Sequence, residues 1–91
     1  MDNATAETVA LQALAYLVSE EEILRGFLGQ TGASADDMRS RAGNTEFLAG
    51  ILDFLFEQDE RLIAFCDRTS ISPEQAQEAR AAGHRRSGDR A

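Results

Sequence analysis

Apolar residues recur at intervals of three and four along most of this chain. The main runs are "VALQALAYLV" (9–18), "ILRGFL" (23–28), "FLAGILDFLF" (47–56) and "LIAFC" (62–66). That period belongs to amphipathic helices; strand-like alternation is scarce. Polar residues punctuate the runs where helices start. Ser19 precedes three glutamates, with Glu22 where a capping box places its acid. Ser34 stands in the same relation to Asp37, and Ser72 is followed by Pro73, Glu74 and Gln75. Asn44 or Thr45 can cap a helix beginning near Glu46. Gly32, Gly43 and Gly83 fall where helices would stop. The spacing predicts an all-α fold, a compact bundle of six short helices over roughly 5–18, 20–31, 35–42, 46–57, 59–69 and 73–82.

On a helical wheel the fourth run places Phe47, Leu48, Ile51, Leu52 and Leu55 on one face. Phe54 and Phe56 fall at its edges. Asp53 lies opposite, beside Glu46 and Glu57, and is expected to be a solvated carboxylate. The predicted core is Val9, Ala13, Leu14, Leu17, Leu24, Phe27, Leu28, Phe47, Leu48, Ile51, Leu52, Leu55, Leu62, Phe65 and Cys66. Tyr16, Val18, Phe54 and Phe56 are left over on helix edges. Surplus apolar residues of that kind mark a candidate interaction surface.

Shifted by 38 residues, the chain aligns on itself without a gap. Leu14 meets Leu52, Leu17 meets Leu55, Glu22 meets Glu60, Leu24 meets Leu62 and Phe27 meets Phe65. Thr31 meets Thr69, Ser34 meets Ser72, and Tyr16 meets Phe54. Two pseudo-repeated three-helix units, 7–43 and 45–81, sharing one core are the expectation. Residues 1–83 form one helical domain on this reading. The Arg-rich tail 84–91, "HRRSGDRA", has no apolar residue to dock except Ala91 and is expected to be disordered.

Charge narrows the function classes. The 91 residues carry a net charge of −7, unevenly spread. Residues 1–60 hold twelve acids and three arginines, whereas 61–91 hold four acids and six arginines. An acidic body is a poor phosphate binder, because nucleic-acid affinity comes largely from cations that release counterions. The segments 31–42 and 69–82 nevertheless look somewhat like helix-turn-helix corners, and nucleic-acid binding through them is the alternative function. Asp36, Asp37 and Glu74 would face phosphates there, which weighs against it. The apolar runs are too short to span a bilayer, which takes about 20 residues. No basic leader region opens the chain. A cytoplasmic location without membrane contact is the expectation.

Candidate chemistry is sparse. Cys66 is the single cysteine and His84 the single histidine, so no intrachain disulfide and no His-rich zinc site can form. A Cys66–His84 pair would need a base held in place, and a disordered tail cannot hold one. The acids at 20–22 could invite a metal, with 36–37 or 59–60 added. Consecutive helical residues point 100° apart and do not converge on a cation, whereas acids in a first helical turn suit the dipole. No phosphate loop or dinucleotide fingerprint is present. The sequence therefore points away from an enzyme and from any cofactor. It points to a non-enzymatic protein-interaction or adaptor domain, with an unknown protein partner or self-association as the contact it makes.

The segments "ETVALQALAYL", "ILRGFLGQTG" and "FLAGILDFL" together resemble an uncharacterised family of short alphaproteobacterial proteins, a domain of unknown function. The resemblance covers roughly residues 6–83 and implies a small all-helical protein. It implies no catalytic residue, cofactor or partner.

Overall fold

Six α-helices follow one another in the computed structural model, which describes residues 1–88, with side chains through residue 85. They are α1 (Asn3–Ser19), α2 (Glu21–Thr31), α3 (Ala35–Ser40), α4 (Thr45–Phe56), α5 (Asp59–Thr69) and α6 (Pro73–Gly88). No strand occurs among the described residues. α1, α4 and α6 pack mutually at the centre, with α2 against α1 and α5 against α4. The molecule measures 32 × 28 × 18 Å.

Local chemistry sets most boundaries. Asp2 caps α1, accepting from the Thr5 N–H at 2.7 Å. Asn44 caps α4 through the Phe47 N–H at 2.8 Å. Ser34 and Asp37 form a capping box at α3: the Asp37 N–H donates to Ser34 Oγ, and the Ser34 N–H donates to Asp37 Oδ2. Each such cap satisfies donors that a helix start leaves unpaired. Ser19, expected to cap α2, instead ends α1, where its hydroxyl donates to the Tyr16 carbonyl at 2.8 Å. Glu20 takes the cap position without a side-chain bond.

Two corners are built alike. In the first, the Thr31 hydroxyl donates to the Phe27 carbonyl at 2.8 Å and accepts from the Ala33 N–H at 3.3 Å. In the second, Thr69 does the same with Phe65 and Ile71, at 2.7 and 3.4 Å. Ser72 and Gln75 exchange the reciprocal bonds of a capping box. The residue after each threonine is left-handed, Gly32 at φ 75° and Ser70 at φ 61°. Glycine accepts that conformation freely, whereas serine is strained in it.

The core is helix against helix. Val9, Ala13, Leu17, Phe27, Phe47, Leu48, Ile51, Leu52, Leu55 and Phe65 are buried as expected. Leu14, Leu24, Leu28, Leu62 and Cys66 are half-buried at its margin. The pattern missed Ala6, Ala10, Ala49, Ala76, Ala79 and Ala82, all buried. These small side chains let α1, α4 and α6 approach closely. An alanine Cβ placed at Gly83 would lie 3.1 Å from the Ala49 Cβ.

Gly83 therefore serves helix packing, and α6 continues through it. Residues 84–88, assigned above to a disordered tail, are helical in the structure; residues 89–91 lie outside the described residues. The expected end at 82 rested on reading Gly83 as a stop; Gly83 does not adopt the left-handed conformation that ends α2 at Gly32, and its missing Cβ serves the approach to Ala49.

The aromatic rings cross between the halves. Tyr16 meets Phe65 edge-on at 5.6 Å, and Phe54 meets Phe27 edge-on at 5.2 Å. The 38-residue offset exchanges these two pairs, since it carries Tyr16 onto Phe54 and Phe27 onto Phe65. The correspondence fails at the third helices: α3 has 6 residues and α6 has 16.

Candidate interaction surface

The four residues singled out for an interface do not share a surface. Tyr16 is 5% exposed and Phe54 is 2% exposed; both are core residues. Each edge of its helix meets a neighbour, so a residue at the border of the apolar arc is covered too. Arg61 completes the cover over Phe54. Its guanidinium carbon stands 3.8 Å from the ring centre, and its Nη1 donates to the Phe54 carbonyl at 2.7 Å. Arg68 lies 5.9 Å from the Tyr16 ring centre and donates to Glu20 at 2.8 Å. Phe56 is half-buried, with the Arg80 guanidinium 5.0 Å from its ring centre. Val18 alone of the four is open, at 52% exposure.

Val18 belongs to a different apolar surface. Leu11, Leu14 and Val18 are spaced three and four residues apart on α1 and line one face. Leu11 and Val18 are exposed, and Leu14 is half-buried. Across from Leu14 and Val18, Leu24 of α2 and Ala35, Met38 and Ala42 in and beside α3 close a groove of about 380 Å³. That is room for about a dozen waters, and its walls are almost wholly apolar apart from Arg39. The 3–4 spacing at 11, 14 and 18 was visible in the sequence. It could not be assigned outward, because α1 is apolar on most of its sides.

Arg39 is the charged residue that lines this groove. Glu7 lines a different pocket, with Ala6, Ala10 and Leu48. Arg25 pairs with Glu21 at 2.7 Å, and Arg39 pairs with Asp36. The remaining arginine of residues 1–60, Arg41, lies 5.7 Å from the centre of the Phe47 ring.

Asp53 departs from the solvated carboxylate expected. It is half-buried, and its Oδ1 accepts from Arg80 Nε at 2.5 Å and stands 2.9 Å from His84 Nε2. Burial pushes its pKa up. The hydrogen bonds from His84 and Arg80 and their charges outweigh burial and hold the carboxyl below its ordinary range. This cluster ties α6 to α4, and its partners lie 27 and 31 residues away in sequence. His84 thus rests on Asp53 from an ordered helix.

The Cys66 thiol is half-buried, and burial followed by the Asp67 charge raises its pKa. A raised thiol pKa disfavours the nucleophilic thiolate. Of the acids at 20–22, Glu20 and Glu21 are paired to arginines. Among the described residues no three His, Cys, Asp or Glu side chains gather where they could hold a metal ion. No helix among them is long and apolar enough to cross a membrane.

The helical corners carry acids in the first turns of their second helices, Asp36 and Asp37 in α3 and Glu74 in α6. The Asp37 carboxylate is spent on the Ser34 N–H, which holds its pKa low.

Comparison with curated proteins and with solved structures finds no match. A match to a family runs from α1 to Gly83 of α6, including both corners, both ring pairs and the open groove. Over residues 3–83 the chain belongs to the family described as protein of unknown function DUF3572.

Proposed function

We propose that this domain is a non-enzymatic protein-interaction module that takes a segment of another protein into the groove between α1, α2 and α3. One observation carries the proposal. Val18 is exposed beside half-buried Leu14 and Leu24, around an apolar volume of about 380 Å³, and exposed Leu11 extends the same face of α1. Leaving such a surface wet forgoes burial worth about 25 cal/mol per Å². Contiguous apolar surface of this kind is characteristic of binding sites.

The chemistry elsewhere supports an interaction role over an enzymatic one. The Cys66 thiol is disfavoured as a nucleophile, and His84 is engaged with Asp53. Nucleic-acid binding is the weaker reading. α3, at 6 residues, is too short for a recognition helix, and both corners present acids.

Display selection tests the module directly. A random library of helical peptides is selected on the wild-type domain and counter-selected on the Leu11→Gln/Val18→Gln variant. Both positions are exposed, so this variant keeps the fold. Enrichment of peptides that bind only the wild type supports docking in the groove. A library that yields no such peptide refutes it.

A further inference from the structure

We infer that a second cleft, between the corner joining α2 to α3 and the start of α4, binds a free α-amino acid with an apolar side chain. It shares no lining residue with the groove beside Val18. Its volume is about 440 Å³, within the range of small-ligand sites, about 300–1,000 Å³. The apolar wall is Phe27 and Phe47, whose rings meet edge-on at 6.0 Å.

Opposite charges line this cleft without meeting. Arg41 and Glu46 both face it, and neither makes a salt bridge with the other or with any described residue. The Arg41 guanidinium lies 5.7 Å from the Phe47 ring centre. The turn into α4 brings Asn44 beside it, the Asn44 N–H donating to the Arg41 carbonyl at 2.9 Å. Asn44 Oδ1 is taken by the Phe47 N–H, so the side-chain N–H groups are what Asn44 has left to offer. Arg41 and Asn44 thus supply donors for a carboxylate. Glu46, in the first turn of α4, supplies the acceptor for an ammonium. Asp37 adds a second negative charge to the wall, with one oxygen already accepting from the Ser34 N–H. A simple anion meets two carboxylates here, and a simple cation meets Arg41. A zwitterion satisfies both ends, and an α-amino acid carries both charges next to an apolar group that can lie on the two rings.

Gly50 is an independent observation. It sits inside α4, where glycine is unfavourable relative to alanine. No neighbour requires it, since a Cβ there meets nothing within 4 Å. It lines the cleft, and a side chain at this position would lean back over the preceding turn, which carries Glu46 and Phe47. The missing side chain keeps that space open to a ligand. Gly29 also has open space at its Cβ, but it stands in the last turn of α2, where helix propensity counts for less.

Calorimetric titration of the full chain tests the inference. L-Phenylalanine is compared with phenethylamine, which keeps only the ammonium, and with phenylpropionate, which keeps only the carboxylate. The expected result is binding of phenylalanine at least tenfold tighter than either analogue. Arg41→Gln and Glu46→Gln, both at exposed positions, should each weaken it at least tenfold, and Gly50→Leu should abolish it. Gly50→Ala should weaken binding while raising Tm, a combination that a purely structural glycine does not produce. Absence of binding by L-phenylalanine, L-leucine and L-methionine at millimolar concentration overturns the inference. So does a single-charge analogue that binds as tightly, or tighter binding of serine, glutamate or lysine than of the apolar amino acids. Binding that survives in a folded Gly50→Leu, or that neither charge variant weakens, places the ligand elsewhere and overturns the site.

Discussion

Gly83→Ala measures how closely α6 lies on α4. In an isolated helix the change is favourable, because alanine in a helix interior is worth about 1 kcal/mol over glycine. Here the new methyl would lie 3.1 Å from Ala49 Cβ and 3.7 Å from Ala49 Cα. Carbon atoms prefer about 3.5–4.0 Å. Ala49 is 1% exposed and has no rotamer to move, so relief requires α4 and α6 to separate. Overpacking of that kind costs about 1–3 kcal/mol. Offsetting the propensity gain leaves a net loss of about 1 kcal/mol, or ~4–8 °C in Tm for a domain of this size. Gly50→Ala is the matched control. It lies inside α4, and a Cβ there meets nothing within 4 Å. It should gain about 0.5–1 kcal/mol. Urea unfolding followed by circular dichroism reads both variants. If Gly83→Ala stabilises as much as Gly50→Ala, the close approach of α4 and α6 is refuted. Adding Ala49→Gly to Gly83→Ala should recover more stability than Ala49→Gly does in any background with Gly83 intact.

Asp53→Ala should cost about 0.5–1 kcal/mol near neutral pH, since a half-exposed pair is screened by solvent. The folded pKa of Asp53 is depressed, so its contribution is full above the unfolded value of about 3.9 and is lost as pH falls through the folded value. The stability gap between wild type and variant should therefore close on acidification; a gap constant with pH would contradict the ion cluster. Ser70→Gly should stabilise by about 1 kcal/mol, because serine pays for the left-handed conformation that glycine adopts freely. An unchanged urea midpoint would show no strain there. Phe54→Ala should cost about 3–5 kcal/mol, while Val18→Gln should stay within about 0.5 kcal/mol; comparable losses from the two would contradict their opposite burial.

Much of the fold was legible because helix signals are local. The caps at Asn44, Ser34 and Ser72 and the stop at Gly32 can be read from a few neighbouring residues. What escaped depends on residues far apart in the chain. Gly83 looks like a stop until Ala49 is seen against it. Asp53 looks solvated until α6 brings Arg80 and His84 across 27 and 31 residues. Tyr16 and Phe54 look like edge residues because a wheel shows one flank of one helix. In the bundle, Phe65 and Phe27 close the other flank. The groove was hidden for the same reason. Leu14 and Val18 form its wall only once α2 and α3 are placed opposite them, and the α1 sequence does not carry that placement.

The exchanged ring pairs bear on how the chain folds. Tyr16 of the first half finds its partner ring in the second, and Phe54 of the second finds its partner in the first. Each three-helix segment alone lacks the partner rings of the other, so neither provides a stable folding intermediate, and the barrier to folding includes bringing together rings that lie far apart in sequence. A nick between α3 and α4 would release two fragments that are unstructured apart and recover helix content on mixing. An intact chain with a shortened connection there gains a route to a domain-swapped dimer, each ring meeting its counterpart on another molecule.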